Sequence, residues 1–368
     1  MKTEKLLKEL KKNPFLLAPM AGVTDTPFRS FMREMGCGIV TTELVSAKSL
    51  QLKNERSYKL MSFTENQRPV GVQIFGEELK SLTEAAQIVE QSGADFVDLN
   101  FGCPVPKIVK KGAGSAVLKD LCFLQKILKT VKRSISIPLS IKVRTGWDQP
   151  SRNSHEVAKI AYNEGIIWLT VHGRTRVQAY SGQADWPYIK EIKSKSLIPI
   201  IGNGDLIKAN QVLKLKKETG CDGMMIGRGC LKNPWIFQEI NHYYKTENTE
   251  SLGQHSPNTI EKTDTNPKNS YRASSGKKIN NKNYINILNR LQSHLEKFYD
   301  EKMFLLQYKK FSTWFSSGYP DSARFRKTVF QTRDKKEVLK LINEYFHRVD
   351  FKKQQETPYE PALMQGHG

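Results

Sequence analysis

Between residue 15 and about residue 229 the hydrophobic pattern repeats one unit: a short apolar or β-branched run, a loop rich in Gly, Asn, Thr or Pro, then a helical spacing of apolar positions. The runs fall at 15–20, 39–47, 70–75, 96–100, 139–143, 168–172, 199–202 and 223–227. Strand runs alternating with helical spacing predict a parallel sheet, and eight of them are the number a (β/α)8 TIM barrel requires. Residues 78–92 illustrate the helical spacing with Leu79, Leu82, Ala86 and Val89, and Gly93 ends the pattern. Segments 155–163 and 209–217 repeat it, with Gly165 and Gly220 as C-terminal stops. An open doubly wound sheet is the alternative, but the loop after the first run, Ala18-Pro19-Met20-Ala21-Gly22-Val23-Thr24-Asp25, lacks the G-x-G-x-x-G such a sheet is expected to carry.

After Asn233-Pro234-Trp235 the pattern changes. The barrel is expected to occupy 15–244, behind a basic N-terminal segment, 1–14. Residues 245–283 are dominated by Asn, Lys, Ser, Thr and Glu, which predicts a disordered insertion. Helical periodicity returns with Ile285, Leu288, Leu291, Leu295 and Phe298, and again with Val338, Leu339, Leu341, Ile342 and Phe346. A small helical domain is therefore predicted over 284–350, followed by a polar, frayed tail, 351–368.

Composition adds one strong statement. The 368 residues carry a formal net charge of +21, and the pI is near 9.6. Such an excess favours a polyanionic partner, most commonly nucleic acid. Five scattered cysteines form no C-x-x-C pair, so neither a disulfide framework nor a metal site is indicated, and a reducing cytoplasm fits best. No apolar run is long enough to span a bilayer, and the lysine-rich start lacks the apolar core of a secretory signal.

In a barrel, residues at the carboxyl ends of the strands converge on one rim. Those ends carry Pro19-Met20-Ala21, Gln73, Asn100 with Cys103, Lys142 with Arg144, His172 with Arg174, Asn203-Gly204-Asp205 and Gly227-Arg228. Polar groups in a barrel mouth are costly unless something binds them. Lys142, inside the run 139–143, needs an electron-rich partner. The glycine-rich ends of the last two strands suit a phosphate. A phosphate site, a rim lysine and histidine, and a thiol after the fourth strand fit a flavin mononucleotide (FMN) enzyme.

These residues resemble the bacterial tRNA-dihydrouridine synthases, B-type branch. The likeness rests on Leu17-Ala18-Pro19-Met20-Ala21-Gly22-Val23-Thr24-Asp25, Thr42-Glu43-Leu44-Val45-Ser46-Ala47, Gln73-Ile74-Phe75-Gly76, Asp98-Leu99-Asn100-Phe101-Gly102-Cys103-Pro104, Lys142-Val143-Arg144-Thr145-Gly146, Val171-His172-Gly173-Arg174-Thr175 and Gly202-Asn203-Gly204-Asp205. It implies a flavin-binding barrel with a helical tRNA-binding domain, a cytoplasmic monomer that reduces the C5=C6 bond of uridines in the D-loop of tRNA, with NADPH as reductant. By position, the resemblance gives Pro19, Met20, Ala21, Gln73, Lys142, His172, Asn203, Gly204, Asp205, Gly227 and Arg228 to the flavin. It gives Asn100, Lys142, Arg144, His172 and Arg174 to the uracil, and makes Cys103 the general acid, on a loop expected to close when the base arrives. The helical-domain motif Tyr308-Lys309-Lys310-Phe311-Ser312-Thr313-Trp314-Phe315 departs from the family's Arg-Lys-His before the aromatic pair. Its Trp314 and Phe315 read as core and its lysines as the exposed face. A flavin barrel acting on a small pyrimidine is the alternative, as is a tRNA-binding protein that has lost activity.

Overall fold

A computed structural model describes residues 1–251 and 281–353. Nine strands, β1 (Phe15–Leu17), β2 (Val40–Thr41), β3 (Val45–Ser46), β4 (Val70–Phe75), β5 (Phe96–Phe101), β6 (Leu139–Arg144), β7 (Leu169–His172), β8 (Ile200–Asn203) and β9 (Gly223–Ile226), are found among the described residues. They form one parallel sheet in the order β1-β9-β8-β7-β6-β5-β4-β2, with β3 also on β4. The ends meet: Leu16 bridges Ile39, and Leu17 N–H donates to the Ile39 carbonyl at 3.0 Å. The sheet is thus a closed (β/α)8 barrel, and the open-sheet alternative falls. The expected second run is one barrel position broken into β2 and β3. Between them Thr42 Oγ1 accepts from Gln73 N–H at 3.1 Å and the Glu43 carboxylate turns away to accept from Gly22 N–H.

Alternation along each strand sorts the chemistry. Val97, Leu99 and Phe101 of β5, with Leu139, Ile141 and Val143 of β6, belong to the main core between barrel and helices. The intervening residues face the interior. There Leu16, Phe96, Trp168, Ile201 and Met225 pack with Leu6 and Leu10 as a separate apolar floor. Phe96 and Trp168 meet edge to face at 5.1 Å. A Cβ on Gly71 would stand 2.2 Å from the Phe96 ring, so only glycine admits that ring. Leu6 and Leu10 come from a helix, Thr3–Lys12, within the stretch expected only to be basic. One turn separates the two leucines, which seal the barrel while the lysines stay outside.

Helices Asn281–Phe298, Glu301–Phe315, Ser322–Gln331 and Lys335–Arg348 form the C-terminal region. The first packs on barrel helix Thr26–Glu34, and Phe311 stacks on Phe28 at 4.6 Å. Trp314 and Phe315 are core. The neighbouring lysines are not on an exposed face: Lys309 Nζ donates to the Thr332 carbonyl and Lys310 Nζ to the Gly22 carbonyl. Both belong to a helix covered on two sides, and their long stems let the ammonium groups reach carbonyls across the seams.

Helix Ile236–Ser251 runs past the expected boundary at 245, because an anchored helix propagates at little cost through Lys and Glu. Of the rest of the expected insertion, 245–283, residues 281–283 already belong to the helix Asn281–Phe298, while 252–280, like the tail beyond 353, lie outside the described residues. Among the described residues no helix is long and apolar enough to cross a membrane.

Candidate active site

The polar half of the barrel interior starts above the floor. Asp98 is buried and accepts from Ser140 Oγ at 2.6 Å and from Gln73 Nε2 at 2.7 Å. Gln73 Oε1 in turn accepts from Asn100 Nδ2 at 2.8 Å. Asn100 Oδ1 then receives the N–H groups of Gly102 at 3.1 Å and Cys103 at 2.8 Å. A relay of side chains on three strands thereby shapes the turn that presents Cys103. Ser115 closes it from the other side, its N–H and hydroxyl donating to the Cys103 carbonyl at 3.1 and 2.9 Å. Arg144 Nε holds the Gly102 carbonyl at 2.8 Å. The loop expected to close on substrate is already tied on both sides.

Cys103 is a free, half-buried thiol. Burial pushes its pKa up from 9.0, against the pull of Arg144 and Lys142, so the thiol keeps its proton at neutral pH.

Strand register sets Lys142 beside Asn100 and Arg144 beside His172, which lies beside Asn203. The ammonium of Lys142 makes no side-chain hydrogen bond among the described residues. Burial first, then Arg144, lowers its pKa to about 8, although Asp98 and Cys103 oppose the shift. His172 is driven well below its ordinary 6.5 by burial and then by Arg144, Lys142, Arg174 and Arg228, so it is neutral. Arg144 donates to the carbonyls of Thr175 and Ala179 at 2.9 and 2.6 Å, leaving Nη2 its one unengaged nitrogen among the described residues.

Arg174 does not face the mouth. Its two terminal nitrogens grip the Asp205 carboxylate at 2.8 Å each and also meet His172 Nε2 and the Gly182 carbonyl, while Nε donates to the Ser181 carbonyl. All five N–H groups are used. These bonds tie the loops after β7 and β8 together, with Asp205 as the anchor.

At the ends of β8 and β9, Asn203 Nδ2 donates to the Met225 carbonyl at 2.7 Å. Gly204 takes φ +126°, where a Cβ would meet that of Ala184 at 2.6 Å, so only glycine turns the chain under His172. Met20 lies against Gly227, which brings the β1 loop to the same corner. Arg228 sits 5.1 Å from the centre of the half-exposed Tyr180 ring, whose other neighbour is Arg144 at 5.6 Å. Pro19 and Ala21 flank Met20 in the β1 loop. No pattern in the sequence points to Tyr180, which stands beside Arg144 and Arg228 from a loop without periodicity. Asp98 was visible as a polar residue in phase with Asn100. Arg144, Lys142 and Arg228 around one neutral imidazole, with the half-buried Lys142 ammonium making no hydrogen bond among the described residues, suit an electron-rich, anionic guest.

Comparison with known proteins identifies the family. The family model described as dihydrouridine synthase matches residues 16–353. The chain is similar to a probable tRNA-dihydrouridine synthase of Rickettsia conorii, at 35% identity over 93% of this chain and 95% of that one. It is also similar to tRNA-dihydrouridine synthase B of Pseudomonas aeruginosa, at 36% identity over 91% and 93% of the two chains. Among solved structures, the 6-hydroxypseudooxynicotine amine oxidase of Pseudomonas geniculata shares the fold, with a TM-score of 0.51 and 12% identity over 64% of this chain and 48% of that one.

Proposed function

The chain belongs to the dihydrouridine synthase family, and from that premise we propose that it is a tRNA-dihydrouridine synthase that uses FMN and NADPH to reduce uridine in the D-loop. The observation that carries the reading is the meeting at one rim of a protonated thiol and a half-buried ammonium that has no hydrogen-bond partner among the described residues. When bound, FMN supplies the hydride that reaches C6 of the uracil. Cys103 donates its proton to C5 from the other side, and the thiolate left behind is stabilised by the nearby Lys142 and Arg144. Lys142 offsets negative charge at the electron-rich edge of the flavin, where an ammonium in a site of low dielectric acts strongly. His172, being neutral, serves as a hydrogen-bond partner rather than as a charge.

Asn100 and Gln73 hold the thiol's turn in place. Gly204, Gly227 and Arg228 border the corner assigned to the phosphate, with Asn203 and Asp205 fixing the loop beneath it. The target base is stacked in folded tRNA and must be flipped out to reach this rim. The net charge of +21 favours the long polyanion over a free pyrimidine.

The test is to load the purified protein with FMN, add NADPH and tRNA, and digest the tRNA for mass analysis. A gain of two hydrogens on uridine is expected. Protein that folds but binds no FMN, or that reduces free uracil and leaves tRNA unchanged, refutes the assignment.

A further inference from the structure

The C-terminal helices do more than lie beside the barrel. They grip its first β/α connection at two points. Tyr299, between the first two helices, donates its hydroxyl to Asp25 Oδ2 at 2.6 Å. Asp25 is the N-cap of helix Thr26–Glu34, its other oxygen accepting from Phe28 N–H at 3.0 Å. Lys310 reaches further, into the loop itself, and donates to the Gly22 carbonyl. The N–H of the same residue is held by Glu43, in the break between β2 and β3. Gly22, at φ +69°, is thus fixed through both its N–H and its carbonyl, by one partner from the barrel and one from the helical domain.

The loop so fixed is a tight turn. Val23 and Thr24 N–H both donate to the Met20 carbonyl at 3.0 Å, and Met20 N–H returns to Thr24 Oγ1 at 2.9 Å. Moving Gly22 therefore moves Met20, whose sulfur lies against Gly227 at the corner assigned to the phosphate. Lys310 also lies 4.9 Å from the centre of the Trp314 ring, so the ammonium is seated between the domain core and the loop.

From this chain of contacts we infer that Lys310 is a positioning residue, which makes the shape of the cofactor-holding β1 loop depend on the docked helical domain. The inference rests on the FMN reading above. It assigns Lys310 no contact with substrate or cofactor. The neighbouring Lys309 supplies an internal comparison, because its ammonium bonds to Thr332 within the helical domain and does not touch the loop.

The experiment is FMN titration of the full chain, followed by flavin fluorescence, with thermal unfolding in parallel. Lys310→Met is expected to weaken FMN binding about tenfold, as for loss of a hydrogen bond from a charged donor. Lys310→Arg, which keeps a donor of similar reach, should recover most of the affinity. Lys309→Met should lower the thermal midpoint yet leave FMN affinity within about twofold of the parent, since its partner is remote from the loop. If Lys310→Met fails to fold, Lys310→Gln is read in its place, with a smaller loss expected. Equal FMN affinity in the parent and the Lys310 variants overturns the inference, and so does an equal loss in Lys309→Met. A parent chain that binds no FMN instead removes the functional reading on which both depend.

Discussion

In Cys103→Ala the proton donor is lost while the loop that carried it stays in place, because the bonds that shape this loop are made by backbone atoms of Gly102 and Cys103. Deleting one half-buried sulfur should cost less than about 1 kcal/mol of stability. The chemical cost is larger. A positioned general acid typically contributes about 100- to 10,000-fold, or roughly 3–5 kcal/mol of barrier. The two halves of the reaction can be followed separately in a stopped-flow instrument. Bleaching of FMN by NADPH should proceed within about twofold of the parent, whereas reoxidation by tRNA should slow by at least about 100-fold. The pH profile gives a second reading. Burial raises the thiol above its ordinary 9.0, so the donor form is complete across neutral pH. The tRNA step of the parent should therefore stay flat up to neutrality, fall as Lys142 loses its proton at about 8, and fall again as pH rises through the raised thiol pKa. Equal slowing of both halves, or a parent profile already falling at about pH 7, would refute the acid role.

Glu239 makes a stability prediction. Burial lifts its carboxyl from 4.5 to about 7, against the single bond from Asn233 Nδ2 at 2.7 Å. The folded chain thus holds a proton that the unfolded chain has lost, and stability falls as pH climbs from about 4.5 to about 7. At about 1.4 kcal/mol per unit the upper bound is roughly 3 kcal/mol. Glu239→Gln keeps the acceptor for Asn233, so it should raise the thermal midpoint at about pH 8 and change little at about pH 5; an equal gain at both would contradict the burial argument. The affinity for tRNA, finally, should drop at least about tenfold between roughly 50 and 200 mM salt, and an affinity insensitive to salt would argue against phosphate contacts.

Much of the barrel is written in local pattern. Ser140, Lys142 and Arg144 alternate with Leu139, Ile141 and Val143, and this period of two told both the strand and its polar face. What stayed hidden depends on partners distant in sequence. Arg174 reads as a rim residue, but its bonds to Asp205 and two loop carbonyls could not be foreseen from spacing. Lys309 and Lys310 looked exposed because composition says nothing about which carbonyl a long side chain meets. The helix Thr3–Lys12 was masked by its own lysines, although Leu6 and Leu10 stand one turn apart. The interruption at Thr42-Glu43-Leu44 has no signature in a run of otherwise strand-forming residues.

The apolar floor bears on more than packing. Leu6, Leu10, Phe96 and Trp168 close the barrel below Lys142, Arg144 and Arg228 with matter of low dielectric constant. Field lines from those three charges cannot spread downward into solvent, so they leave through the mouth and are concentrated along the barrel axis. The barrel works as an electrostatic lens. A phosphate-bearing molecule approaching from the strand ends would meet a steeper potential than the charges would create on an open surface, and the sealed base would set the direction of that attraction.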